Sequence, residues 1–392
     1  MPAKSADMRS VESESASGAE LKVLRAIWFH NAETRAAIAN VTGLSRPTII
    51  AAIQSLRQKD LIRGERQRQG ALGRDPEVIS VNSEAQLGYG VDIGGSKTSA
   101  ALVDLKGEIL SELTLPTPKD DPRALAAGVA QLRDQLLRRI GRKTGKVTFA
   151  AIGMPGVLQE DGRVVNSGTL EGLDQVDVPS LFEDALSCAI HIENDVNMAA
   201  YGELLGSESF SRGTRVLISV GTGLGMGIVH RGEVLRGSSG HAGEISYLPL
   251  ATHLDHAELR RHGAAELLAS GPVFERRYHE LSGKKLSATQ ILSAFLEDDP
   301  HAIVAVAELA HHLSRVVVSV VVTLDPEIVV MAGGLGSSPI LMDPLMQEVQ
   351  KLSPLPVKLE LAQFGARAGL VGASTFVQRS LEKRVTQQVR GA

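Results

Sequence analysis

One pattern occurs twice in this chain and restricts its fold more than any other feature. An apolar run from Leu87 ends in the turn Gly94-Gly95 and resumes from Lys97. It is followed by Lys106-Gly107-Glu108-Ile109-Leu110. The same succession returns as an apolar run into Gly221-Thr222-Gly223, a further apolar run, and Arg231-Gly232-Glu233-Val234-Leu235. Each copy reads as a strand, a glycine turn, a strand and a second hairpin. A unit used twice implies two similar lobes, and a cleft between lobes is where small ligands bind. Strand and helix signals alternate beyond Gln86, so an α/β body is expected.

A length of 392 residues leaves room for two or three domains. Hydrophobic residues make up 43% of the chain but aromatics only 3%, so aliphatic side chains must fill the cores. The single cysteine, Cys188, excludes an intrachain disulfide and a cysteine-cluster metal site, and it reads as a small apolar residue. Residues 1–17 are rich in Ser, Glu and Ala and read as a disordered tail with no secretory apolar segment. The longest apolar stretch, Val316–Leu324, is too short to span a bilayer and reads as part of a buried helix. A cytoplasmic protein without a membrane partner is expected.

Residues 18–83 carry a different signature. Leu21, Leu24, Ile27 and Trp28 recur at helical spacing over Glu20–Phe29. A short helix over Thr34–Val41 follows, with Thr34 as N-cap. Gly43-Leu44 makes a turn, and Ser45 caps a third helix running to Gln58. Ile49, Ile53 and Leu56 form its inward face, which leaves Arg46, Pro47 and Thr48 outward at its start. Leu61-Ile62-Arg63 and Glu77–Val81 then flank an Arg/Gly-rich loop, as in a two-stranded wing. Between Ser45 and Arg74 there are seven basic residues and two acidic ones, a surplus of five in a chain of net charge −4. These features point to a winged helix-turn-helix that sets Ser45, Arg46, Pro47 and Thr48 in a major groove. Arg66, Arg68 and Arg74 on the wing would meet phosphates or a minor groove. A plain three-helix bundle with a solvated basic face is the bland alternative.

In the body, glycine turns let backbone N–H groups approach phosphate oxygens without Cβ clashes. Gly94-Gly95 and Gly221-Thr222-Gly223 could grip a nucleotide from two sides, with Asp92 orienting a hydrated magnesium ion and Lys97 assisting. Gly333 and Gly334, after the strand Ile328–Met331, could let a base or ribose pass. Glu193-Asn194-Asp195 ends a short strand and opens a helix. Such a trio can hold sugar hydroxyls, with Asp195 as general base, and plain helix capping is its alternative. Gly153-Met154-Pro155-Gly156 with Asn166, and Glu244 in His241-Ala242-Gly243-Glu244, look like further sugar contacts.

Taken in order, Asp92-Ile-Gly-Gly, Gly153-Met-Pro-Gly, Asn166-Ser, Glu193-Asn-Asp, Gly221-Thr-Gly-Leu-Gly, Gly243-Glu244-Ile and Ala332-Gly-Gly resemble the ROK family of repressors, open reading frames and kinases. Thr42-Gly-Leu-Ser45, Gly73-Arg74-Asp75-Pro76 and Ser80-Val81-Asn82 resemble the winged helix of its repressor branch. The resemblance implies a two-lobed actin/hexokinase-like fold behind the head. Lobe 1 would span 86–192, joined by a C-terminal helix over 375–390, and lobe 2 would span 193–374. It also implies ATP at the glycine turns and a sugar contacted by Asn166, Asn194, Asp195 and Glu244, with Asp195 as the base; Glu193 joins them on the reading of the trio above.

The departures from the family pattern are specific. Tyr247 stands where a histidine is expected, and 248–271 holds no cysteine, so no structural zinc is expected. His253, His256 and His262 read as solvent-facing. Asn166-Ser167-Gly168-Thr169 replaces the family's Asn-x-Pro-Asn. The expectation is a repressor of carbohydrate genes, working as a homodimer or homotetramer on double-stranded operator DNA. It would respond to a sugar or sugar phosphate and need no cofactor for regulation. The alternative is an active ATP- and magnesium-dependent kinase of a hexose or amino sugar that carries a DNA-binding head.

Overall fold

Capping chemistry sets the limits of the head's helices. The computed structural model describes residues 6–66, 77–141, 147–165, 167, 170–205, 213–250 and 256–391. Helix α1 (Ala6–Phe29) precedes α2 (Arg35–Thr42) and α3 (Arg46–Gln58). The Thr34 side chain caps α2 by accepting from the Ala37 N–H at 3.1 Å, and Gly43 ends it in the left-handed conformation. Ser45 caps α3, accepting from the Thr48 N–H. Strands β1 (Ile62–Arg66) and β2 (Glu77–Val81) pair antiparallel to form the wing. Helix α1 starts at Ala6, not at Glu20, so 6–17 is helix rather than disordered tail. Its alanines and glutamates are strong helix formers and no proline interrupts them.

The body consists of two five-stranded sheets of identical topology. The first holds β3 (Leu87–Ile93), β4 (Lys97–Val103), β5 (Ile109–Pro116), β6 (Val147–Met154) and, after the short hairpin β7 (Val157–Leu158) and β8 (Val164–Val165), β9 (Ala189–Asn194). Its order is β5-β4-β3-β6-β9. The second sheet, in the order β12-β11-β10-β13-β14, holds β10 (Thr214–Val220), β11 (Leu224–His230), β12 (Glu233–Val234), β13 (Ile328–Ala332) and β14 (Leu359–Leu361). In both sheets an antiparallel meander of three strands continues into two parallel ones. The duplication legible in the glycine turns is therefore a duplication of whole sheets.

Helices α4 (Pro122–Ile140) and α5 (Val178–Leu186) cover the outer face of the first sheet, burying Leu125, Val129, Leu136 and Phe182 against it. On lobe 2, α7 (His256–His262), α8 (Glu266–Ala269), α9 (Gly271–Ser282), α10 (Ala288–Leu296), α11 (Pro300–Leu324), α12 (Gly333–Gly336) and α13 (Pro339–Leu352) complete the packing. By length and apolarity α11 could cross a bilayer. It instead buries Ala302, Val306, Leu309, Leu313, Val317 and Val321 in the lobe's core.

Two helices join the parts. Helix α6 (Asp195–Leu205) lies between the sheets, with Ala200, Tyr201 and Leu204 against strands of the second sheet. Helix α14 (Ala368–Arg390) crosses it closely: a Cβ placed on Gly372 would stand 1.8 Å from the Met198 carbonyl oxygen. Beyond that crossing, α14 buries Val377, Leu381, Val385 and Val389 in one continuous cluster with Leu24, Ile27, Ile53 and Ile79 of the head. Head and lobe 1 thus share a core. Leu381→Ala should cost about 2–5 kcal/mol. In urea, the transition reported by Trp28, the one tryptophan, should move together with that of far-UV circular dichroism. Separate transitions would show that the head folds independently of the body.

Candidate functional site

The strand–helix junction at β9 and α6 positions three polar side chains in three different ways. Glu193 points away from the cleft and is 7% exposed. It accepts from the Arg236 Nε at 2.6 Å and from the Asn197 Nδ2 at 3.0 Å, and lies 3.7 Å from the His191 Nε2. Burial works to raise its carboxyl, but the His191 hydrogen bond, the Arg236 charge and the Asn197 bond outweigh burial and hold it below the ordinary range. Because Arg236 follows β12, this pair ties the first sheet to the second.

Asn194 is a helix cap. Its Oδ1 accepts from the Val196 and Asn197 N–H groups, and its Nδ2 donates to the Gly156 carbonyl at 3.1 Å. Asp195 begins α6 and faces the cleft. Burial, and the charge of Glu244, push its carboxyl up from the ordinary value. Asp92, at the end of β3, lies close enough to feel it. Burial first and the Asp195 charge second raise Asp92 to about 7, against the opposing pull of Lys97. A Cβ on Gly369, in the first turn of α14, would stand 2.5 Å from the Asp92 Oδ1.

The cleft between the lobes encloses a cavity of about 560 Å³. Pro155, Gly156, Asn194 and Asp195 line one side; Gly221, Thr222, Gly223 and Glu244 line the other. Glu244 carries no side-chain bond to a described residue, and burial raises its carboxyl as well. Arg261, His262 and Glu266 also reach this wall; sequence reasoning passed over Arg261 and Glu266 and gave His262 no part in the site. Gly263 turns the chain after α7 at φ +80°, which brings the end of that helix round to the cleft, where His262 stands exposed. The Glu266 Oε2 accepts from the Leu224 N–H at 3.0 Å, bracing the second glycine turn. Tyr247, two residues past the buried Ile245, stands 44% exposed at the mouth. Asn166 lies outside the described residues, as does His253.

The glycine turns differ in what they leave open. Gly94 donates its N–H to the Lys97 carbonyl in a tight turn that does not line the cavity, with Gly95 between them and Lys97 exposed. Gly333 adopts φ +82°, and a Cβ there would meet the Val220 oxygen at 2.4 Å, so packing alone requires this glycine. Gly334 has open space where a side chain would be, and a Cβ on Gly221 would meet only the Gly334 nitrogen, at 3.8 Å. No group of three or more His, Cys, Asp or Glu among the described residues is placed to hold a structural metal.

In the head, Ser45 and Thr48 are tied to each other, their hydroxyls 2.7 Å apart. Arg46 and Pro47 are exposed, and the backbone of Arg66 ends β1; Arg68 and Arg74 lie outside the described residues. The basic surplus is smaller than its count suggests. Arg57 and Arg35 both pair with Glu77, and Lys59 pairs with Glu20 at 2.6 Å.

A profile of the ROK family matches residues 88–380. The chain belongs to the ROK family. Among ROK relatives, the xylose repressor of Bacillus subtilis (strain 168) is 22% identical over 360 residues, covering 91% of this chain and 93% of the repressor. The solved ROK hexokinase of Thermus thermophilus superposes with a TM-score of 0.64 at 27% identity, over 76% of this chain and 99% of the enzyme. A solved ROK family transcriptional regulator, a homologue of the E. coli MLC protein, superposes with a TM-score of 0.75 at 21% identity. That match covers 96% of this chain and 99% of the regulator. The two-lobed ROK fold preceded by a winged-helix head is thus shared over nearly the whole chain.

Because folded Asp92 keeps its proton to about pH 7 while the unfolded chain releases it near 3.8, its contribution to stability is complete at low pH and is lost as pH rises through 7. Asp92→Asn removes this component. Its melting temperature relative to wild type should rise between pH 5 and pH 8, and a difference independent of pH would refute the assignment.

Proposed function

We propose that this chain is a DNA-binding repressor whose grip on operator DNA is set by a sugar or sugar phosphate in the interlobe cavity. One observation carries the reading. Helix α14 begins against Asp92, crosses α6, whose first turn lines the cavity, and ends inside the core of the head. A ligand that changes how the lobes stand about α6 therefore acts on a helix the head is built upon. The xylose repressor's likeness over 91% of the chain, head included, supports the regulatory reading.

Within it, Asp195 and Glu244 accept hydrogen bonds from sugar hydroxyls, and Asn166 adds a contact from the hairpin. Asn194 orients Asp195 by capping α6, and Glu193 fixes lobe position through Arg236. Ser45, Arg46, Pro47 and Thr48 enter the major groove, with Arg66, Arg68 and Arg74 on the backbone or minor groove. Two heads in a homodimer or homotetramer match the two half-sites of an operator.

A second reading, an active sugar kinase, is favoured by Asp195. A carboxyl facing the cavity with a raised pKa suits a general base that takes the proton of an attacking hydroxyl. There Asp92 and Lys97 would hold magnesium and phosphate beside Gly94-Gly95, Gly221-Thr222-Gly223 and Gly333-Gly334. The bound nucleotide supplies the phosphoryl group.

Fluorescence anisotropy with the duplex upstream of the chain's own gene, titrated against pentoses, hexoses, amino sugars and their phosphates, tests the proposal. At least one ligand should shift the half-saturation point tenfold or more. Glu244→Ala should abolish the shift while ligand-free DNA affinity stays within about twofold, since Glu244 supports no part of the head. A wild-type protein indifferent to every ligand would overturn the regulatory reading. ADP release that vanishes in Asp195→Asn would establish the kinase.

A further inference from the structure

Helix α3 turns one continuous face outward. Arg46, Pro47, Ile50, Ala51 and Gln54 are exposed, while Ile49, Ala52, Ile53 and Leu56 are buried in the head's core. From Arg46 to Gln54 the face extends about 12 Å, the rise of three to four base pairs. Its chemistry is unusual for a surface meant only for solvent. The large apolar side chain of Ile50 is 43% exposed at its centre, with Ala51 beside it. Gln54 lies one turn further along, free of side-chain bonds to described residues. The cations that could have crowded the far end are engaged elsewhere, since Arg57 pairs with Glu77. Exposed cations remain on either side, Arg46 at the helix start and Arg63 on the wing. A short apolar-and-amide strip between cations complements a groove floor between two phosphate rails.

The floor of the major groove offers one apolar group, the C5-methyl of thymine, and adenine there presents an acceptor and a donor that a glutamine amide matches in bidentate fashion. We infer that α3 reads a half-site in which a thymine methyl seats against Ile50 and Ala51 and an adenine within three to four base pairs is held by Gln54. This deepens the DNA-binding reading and rests on it.

Duplexes selected from a random-sequence pool by the full-length protein give the test. Each thymine is replaced in turn by deoxyuridine, which pairs identically but lacks the methyl group. At one or two positions in each half-site the replacement should weaken wild-type binding about fourfold, the effect of withholding one methyl from burial. Ile50→Ala should bind the thymine and deoxyuridine duplexes equally. At the partnered adenine, 7-deazaadenine should weaken wild-type binding about tenfold and leave Gln54→Ala unaffected. Both side chains are exposed, so both variants should keep the wild-type Trp28 melting transition. Tight, selective duplexes that tolerate deoxyuridine at every thymine would overturn the inference and leave the DNA-binding reading standing. A pool from which no sequence is enriched would overturn both.

Discussion

Helices α6 and α14 meet backbone to backbone, and the rest of the molecule is arranged around that contact. Gly372 lies against the Met198 carbonyl, and a Cβ on Gly202 would stand 2.7 Å from the Ala368 oxygen. Side chains there would force the helices apart, because interiors close-packed to crystal density have no slack to absorb them. Each helix carries a function at its end. The first turn of α6 presents Asp195 to the cleft, and the last turns of α14 bury Val385 and Val389 among the residues of the head. The same crossing that fixes the carboxyl therefore fixes the platform of the winged-helix head.

Adjacent carboxylates at this junction differ because their surroundings differ. Glu193 has Arg236, His191 and Asn197 to offset its burial, and it remains ionised as a tie between lobes. Asp92, Asp195 and Glu244 have no such partners: burial raises all three, helped by the charge of Asp195 at Asp92, of Glu244 at Asp195 and of Glu266 at Glu244. A sugar hydroxyl satisfies such a group in either state, since a carboxylate accepts and a carboxylic acid also donates. The lobe tie and the ligand floor are thus separate devices two residues apart.

The two-lobed architecture was legible because the glycine turns repeat with their flanking strands, and periodic apolar runs survive in both sheets. The head was legible because Thr34, Gly43 and Ser45 are strong local signals whose capping bonds form within a few residues. What escaped depends on partners distant in sequence. Nothing near Glu193 announces Arg236, 43 residues on, so the strand-end triplet read as three sugar contacts. Glu266, Arg261 and His262 reach the cavity through a turn at Gly263 that no periodicity marks. The charge surplus over Ser45–Arg74 was counted without Glu77, which lies on the wing and takes Arg57 as well as Arg35.

Control of the head by a ligand requires contacts made in one lobe arrangement and not in another. The cavity walls provide this condition, since Asn194 and Asp195 belong to the junction with the first sheet while Glu244 and the turn at Gly221 belong to the second. A sugar too small to reach both walls would bind open and closed arrangements alike and shift nothing. One that spans them gains its second set of hydrogen bonds only on closure. Moving an equilibrium from 1:99 to 99:1 takes about 5.5 kcal/mol of differential binding. Hydrogen bonds to charged groups contribute about 1.5–3 kcal/mol each, so two to four made only on closure suffice. The Glu193–Arg236 tie joins the same two sheets, so the resting arrangement is already weighted. Under the proposed function a ligand would add to that weighting or act against it through α6, and α14 would carry the result to the head.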